Sequence, residues 1–155
     1  MLTWQCLHFA DLSVTQLYAI LRLRQEVFVV EQNCAYLDAD NKDLSSFHLL
    51  GYDADGLVAY CRLLPKRLAY SDLDDVSIGR VLSAARVRGT GAGHELMRKA
   101  IAQLPVLFGE NLRVRIGAQS YLLAFYGSLG FVSTGKNYME DDIPHTEMVM
   151  EIGTF

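Results

Sequence analysis

The run Arg88-Gly89-Thr90-Gly91-Ala92-Gly93 constrains this chain more than any other segment, because it sets one cation and three glycines where a strand-like pattern gives way to a helical one. Glycine lets the backbone take left-handed or tightly curved conformations and brings its N–H groups close to a ligand with no Cβ in the way. The helical pattern that follows, His94-Glu95-Leu96-Met97-Arg98-Lys99-Ala100-Ile101, aims its unsatisfied first-turn N–H groups and the positive end of its dipole at the same point. An anion fits there. The same composition also describes a glycine-rich turn before a helix with nothing bound, so the loop takes its meaning from its surroundings.

Those surroundings are mixed α/β. Trp4 to Phe9 reads as a short strand, and Ser13 with Gln16 forms a capping box that starts a helix. Along it Leu17, Tyr18, Leu21 and Phe28 recur at helical spacing as the expected buried face. After a polar loop from Asp38 to Ser46, residues 47–52 and 57–63 flank Asp53-Ala54-Asp55-Gly56, the pattern of an antiparallel hairpin. A strand over 76–82 feeds the glycine loop, and Pro105 is expected to stop the following helix. A strand over 113–118 comes next, then a helix from about Tyr121 to Leu129 capped by Gly130, and closing strands over 131–134 and 147–152. The strand-helix-strand unit around the loop should cross over right-handed.

With 155 residues and no linker-like tract, the chain reads as one domain, 1–155. Its 14 Lys+Arg against 18 Asp+Glu give a net charge of -4, which excludes the broad basic footprint of a nucleic-acid partner. Cys6, Cys34 and Cys61 are odd in number and form no C-x-x-C pair, so they read as reduced thiols in a cytoplasmic protein and not as metal ligands. No basic-then-apolar leader opens the chain and no segment approaches membrane-spanning length, so no membrane partner is expected.

Three familiar motifs fail on inspection. A dinucleotide-binding G-x-G-x-x-G would need glycine where His94 stands. The stretch from Gly130 to Asn137 has the spacing of a nucleotide-phosphate loop, but Asn137 replaces the magnesium-binding hydroxyl and no helix pattern follows. The aspartates of residues 38–43 resemble a calcium loop, yet Lys42 takes a ligand position and Asp43 the glycine position.

The second informative segment runs from Gln119 to Phe131. Alone, its Leu122, Phe125 and Leu129 are a core face and Tyr126 a packed aromatic. Taken with the loop, it resembles the GNAT superfamily of acyl-CoA-dependent N-acetyltransferases. The superfamily signature Q/R-x-x-G-x-G/A is matched by Arg88, Gly91 and Gly93, and its second signature by Phe125, Tyr126, Gly130 and Phe131. Further likeness at residues 23–32, 117–119 and 142–148 points to the small bacterial ElaA-type branch.

That resemblance implies a central, mostly antiparallel twisted sheet, flanked by helices, whose fourth and fifth strands splay apart to hold acetyl-CoA. It places backbone groups of Val81, Leu82 and Ser83 along the pantetheine arm and the pyrophosphate on Arg88, Gly89, Thr90, Gly91, Ala92 and Gly93, with Gln119 lining the groove. It also implies direct attack of a primary amine, of a small molecule or a peptide, on the thioester. The Tyr126 hydroxyl then protonates the leaving thiolate, and Glu31 is the first-choice base, acting through water. A solvated surface glutamate explains Glu31 equally well. His48 and His145 have suitable intrinsic pKa values and are expected to contact the acceptor, although a hydrogen-bonded residue in a strand or turn explains each equally well; Arg22 is also expected there, and with Arg24 shapes a pocket or simply covers a solvated helix face. Homodimers are common in the resembling fold. The rival function is a non-catalytic acyl-CoA-binding sensor or regulatory module.

Overall fold

In the computed structural model, which describes residues 1–153, seven strands form two sheets that meet at a single point. Strands β1 (Thr3–His8), β2 (Phe47–Asp53), β3 (Gly56–Leu64) and β4 (Ser77–Ser83) lie in the order β1-β2-β3-β4, all antiparallel. Strands β5 (Leu112–Gln119), β6 (Val132–Glu140) and β7 (Ile143–Ile152) form the second sheet in the order β5-β7-β6. Between β4 and β5 only a parallel bridge from Val76 to Val114 joins the sheets, with Val76 N–H on the Arg113 carbonyl at 3.0 Å and Arg115 N–H on the Val76 carbonyl at 2.9 Å. Beyond that bridge the two strands diverge, so the splayed architecture expected from the sequence is the one observed.

The first sheet is buried on both faces, which explains the nearly unbroken apolar run of β3. Strand side chains alternate in direction. Ala59, Cys61 and Leu63 therefore enter one core, with helix α2 (Ala92–Phe108) and the second sheet, while Val58 and Tyr60 enter another, with helix α1 (Val14–Arg24). On β4 the alternation breaks. Ile78 belongs to the first core and Leu82 to the second, although an even spacing should place them on one face. Tyr60 pairs with Leu82 and Arg62 with Gly79, leaving Arg80 and Val81 opposite the single residue Cys61. This bulge adds one residue and switches the strand's faces.

Local expectations held where the signal was local. Ser13 and Gln16 form the reciprocal capping box, and α3 (Leu123–Ser128) ends in a Schellman arrangement, with Phe131 N–H on the Tyr126 carbonyl and Gly130, at φ +104°, donating to Gly127.

Several expectations are corrected. The buried face of α1 is Ile20, Leu23 and Arg24, while Tyr18 is exposed. The helix also does not end as an α-helix: Gln25–Glu31 continues as a π-helical segment, with Gln32 N–H on the Val27 carbonyl at 3.2 Å and Cys34 N–H on the Val29 carbonyl at 3.1 Å. Pro105 does not stop α2, which runs on to Phe108. An interior proline costs about 3 kcal/mol. Burying Leu104 completely is worth roughly 1.5–3 kcal/mol, and Leu107 and Phe108, the latter edge-on to Phe47 at 5.8 Å, add to it. The closing strands are far longer than their apolar cores, because β6 and β7 pair as a hairpin through polar residues 134–146.

His48 is a core residue and not an acceptor contact. It is fully buried on β2, with Nε2 3.0 Å from the Asp43 carbonyl and Nδ1 2.7 Å from the Tyr60 hydroxyl. A carbonyl only accepts, so Nε2 carries the proton and Nδ1 accepts from Tyr60. Burial pushes the His48 pKa below its ordinary value, against the opposing pull of the Asp43 carbonyl and carboxylate. A depressed folded-state pKa adds stability that is complete above the unfolded value, about 6.5, and lost as pH falls below it. Stability should therefore decline below about pH 6.5 by up to about 1.4 kcal/mol per pH unit. His48→Gln keeps an acceptor for Tyr60 and a donor for Asp43, and should flatten that limb in urea unfolding followed from pH 7.5 to 5.

Candidate active site

The gap between β4 and β5 opens into a groove of about 1000 Å³. It has an end at the glycine loop, a middle section along the β4 bulge and a polar far end.

At the first end Gly89 and Gly91 take φ of +79° and +88°, conformations that L side chains rarely adopt, and Gly91 is the N-cap of α2. No side chain caps this helix, and its first internal bond runs from Glu95 N–H to the Gly91 carbonyl at 3.1 Å. The first-turn N–H groups thus stay free of helix partners and converge on a shallow pocket lined by Ser83, Arg88, Gly89, Gly91, Ala92 and Gly93. Thr90 lines neither cavity. Its hydroxyl donates to the Val87 carbonyl and closes the loop from behind. The Arg88 guanidinium donates to the Ser83 carbonyl through Nε at 3.1 Å and Nη2 at 3.0 Å, and Nη2 also meets Glu31 Oε2 at 2.7 Å.

In the middle section Val81, Leu82 and Ser83 form one wall and Ile116 and Gln119 the other, with Tyr126 reaching in from α3. Tyr126 is 7% exposed and lies edge-on between Phe125 at 5.1 Å and Phe131 at 6.0 Å. Burial raises its hydroxyl pKa well above the ordinary tyrosine value, with smaller contributions from Cys61 and Tyr121. The group therefore enters any reaction at neutral pH as a proton donor.

The far end is built by the second sheet and by residues 31–36. Gln119 Nε2 lies 3.4 Å from Gln32 Oε1, and Cys34 Sγ lies 3.5 Å from the Asp141 carbonyl, so this segment straps across the groove. His145 sits in the wall with Nδ1 2.7 Å from the Ile143 carbonyl, which fixes the proton on Nδ1 and leaves Nε2 as the basic nitrogen, 3.6 Å from Glu140 Oε2. Tyr138 stacks on His145 at 5.5 Å and lays its hydroxyl over Gly117, where an added Cβ would collide with the oxygen.

Beneath the groove three arginines and three aspartates close an alternating ring. Arg80 meets Asp38 at 2.8 Å, Asp38 meets Arg24 at 2.7 Å, Arg24 meets Asp43 at 2.8 Å and Asp43 meets Arg62 at 2.9 Å. Arg62 then meets Asp40 at 2.7 Å, and Asp40 returns to Arg80 at 3.4 Å. Burial pushes the Asp40 and Asp43 carboxyls up, but hydrogen bonds and charge from the arginines outweigh it and lower both, holding Asp40 well below the usual carboxylate range. The ring explains why the aspartates of residues 38–43 make no calcium loop: their charge is already neutralised.

Glu31, Val81, Leu82, Ser83, Gln119, Tyr126 and His145 thus share one groove, continuous through Arg88 and Gly93 with the pocket at the glycine loop. His48 and Arg22 do not join them, since Arg22 is exposed and lines neither cavity. Arg24 is neither a solvated face nor a pocket wall. It is completely buried in the ring. Sequence reasoning missed Arg62, Arg80, Tyr36 and Tyr138; three aspartates in six residues was the signal that arginines had to be found for them. Among the described residues no group of three or more His, Cys, Asp or Glu side chains is arranged to hold a metal ion, and no helix is long and apolar enough to cross a membrane.

The two turn glycines and the helix glycine should respond differently to alanine. At Gly91 the left-handed φ makes alanine cost about 1–2 kcal/mol, a Tm loss of roughly 2–8 °C. At Gly93 a Cβ would sit 3.6 Å from the Phe125 ring, an ordinary contact in a helical backbone, so Gly93→Ala should hold or raise Tm in the same thermal melt.

Comparison with known proteins agrees with this geometry. Residues 23–152 match the family model described as an acetyltransferase (GNAT) domain. Protein ElaA of Escherichia coli is 45% identical over 154 residues, covering 98% of each chain. The crystal structure of E. coli ElaA superposes with a TM-score of 0.88 at 44% identity, covering 97% of this chain and 99% of that one. An acyl-CoA N-acyltransferase from Pseudomonas aeruginosa gives a TM-score of 0.86 at 43% identity, covering 96% and 99%. The open helix N-terminus and the splayed strands thus sit in a known architecture, and the chain belongs to the GNAT acetyltransferase family, similar throughout to ElaA.

Proposed function

We propose that this protein is an acetyl-CoA-dependent N-acetyltransferase that acts on a primary amine of a small molecule or peptide, in the cytoplasm, by direct attack within a ternary complex. The observation that carries the reading is the continuity of one groove from an uncapped helix N-terminus, past the β4 bulge, to the Tyr126 hydroxyl. The family uses acyl-CoA, whose length and chemistry suit those three stations: pyrophosphate on the glycine loop, amide arm along β4, thioester beside Tyr126.

The chemistry sets two proton problems. An alkyl amine with a pKa of about 10.4 is neutral only on the order of once in a thousand molecules at pH 7, so it must lose a proton before attack. Its nitrogen then adds to the thioester carbonyl, the C–S bond breaks, and the departing thiolate takes a proton from Tyr126. Glu31 accepts the amine's proton through water. In the free protein Arg88 holds Glu31, and the donor's pyrophosphate competes for that guanidinium, so donor binding releases the carboxylate. His145, with Nε2 facing Glu140, orients the acceptor. No covalent enzyme intermediate is required, and none of the cysteines has a step.

Calorimetric titration with acetyl-CoA should show binding that Arg88→Glu weakens at least tenfold; retention of full affinity in the variant would remove the loop from the site. Tyr126→Phe should keep CoA affinity and lower turnover on the order of a hundredfold, read as thiol release across a panel of amines. Glu31→Gln should lower turnover without loss of donor affinity, and His145→Gln should act mainly on the KM of the amine. Tight donor binding with no thiol release from any amine or peptide would favour a non-catalytic acyl-CoA sensor instead.

A further inference from the structure

Arg80 holds a backbone conformation that its residue type disfavours. Its φ of +51° puts a side-chain-bearing residue in the left-handed region within a strand, a state disfavoured roughly tenfold for an L residue. Such strain persists where the surroundings over-determine it. Here they do so through the side chain. Arg80 Nε donates to Asp38 Oδ1 at 2.8 Å, and Nη2 donates to the Asp38 carbonyl at 3.0 Å and approaches Asp40 Oδ2 at 3.4 Å. The guanidinium lies 5.8 Å from the centre of the Tyr36 ring, and the Tyr36 hydroxyl is itself bound to Asp38 at 2.8 Å. Asp38 cannot follow Arg80 away, because the buried Arg24 grips its other oxygen at 2.7 Å.

The clamped residue is one of the two that make the bulge, and the bulge decides what β4 shows the groove. With the extra residue in place, Leu82 turns into the α1 core opposite Tyr60. Without it, every side chain from Val81 onward would change faces. We propose that Arg80, clamped by Asp38, is a positioning residue that fixes the β4 bulge and so presents the backbone of residues 81–83 to the thioester. The donor part of this statement rests on the function proposed above; the clamp does not. Arg80 acts through its own backbone and needs no contact with the acceptor.

Glycine separates this role from any direct use of the charge, since it adopts a positive φ with no clamp. Neither Arg80→Ala nor Arg80→Gly strands a buried charge, because Asp38 keeps Arg24 and Asp40 keeps Arg62. Amide hydrogen exchange over residues 77–83 should rise roughly tenfold in Arg80→Ala and return to within about threefold of the parent in Arg80→Gly, the tenfold step being that of the left-handed conformation. Turnover should follow the same order, falling roughly tenfold in the alanine variant and recovering in the glycine variant. Equal loss in both variants would overturn the proposal by showing that the guanidinium itself acts, and unchanged exchange in Arg80→Ala would overturn it by showing that the bulge needs no clamp. If exchange behaves as expected while the parent turns over no amine, the clamp is upheld and the transferase reading falls.

Discussion

Six charges shut in a ring beneath the groove hold the rest of the site in place. Removing such groups from water is expensive, and buried ion pairs often contribute little net stability. Their value is geometric. Each carboxylate is shared by two arginines and each arginine by two carboxylates, so a member that moves takes one of two partners from each of its neighbours. The ring ties together α1, through Arg24, the centre of β3, through Arg62, and the bulge of β4, through Arg80. It also orders residues 38–43, a stretch with no strand and a single short turn.

The legible parts of the fold were those fixed by neighbours in sequence. The glycine loop, the capping box at Ser13 and the Gly130 terminus each depend on contacts within a few residues, and each formed as its residues demand. Arg24 shows why other parts were not legible. A cation on a helix reads as a solvent face, and only partners 14 and 19 residues away make it as buried as Ile20. The hairpin of β6 and β7 was hidden for a related reason, since its exposed strand carries polar residues that register only through pairing with β7. At the site the donor half was readable, because a phosphate cradle is a local motif. The far end of the groove is assembled from the π-helical end of α1, the strap and two strands of the second sheet, and no single segment announces it.

The π-helical turn and the β4 bulge are two forms of one device. Each adds a residue to a regular element beside the groove, and each re-aims side chains that ordinary periodicity would send elsewhere. In the first case Val27 and Phe28 pack on the α1 core and, with Glu31, line the groove; in the second, Ile78 and Leu82 serve different cores. Irregularities of this kind cost stability and are kept where geometry matters more.

The splay also bears on solubility. Strands β4 and β5 each keep one unpaired edge beyond the Val76–Val114 bridge, and unpaired edges are templates for the strands of other chains. Because these two edges face one another and diverge from a common point, an intruding strand would have to satisfy both while running parallel to neither. A slender chain with a few amides escapes that demand. The cleft therefore sorts visitors by thickness, admitting a thread and refusing a ribbon.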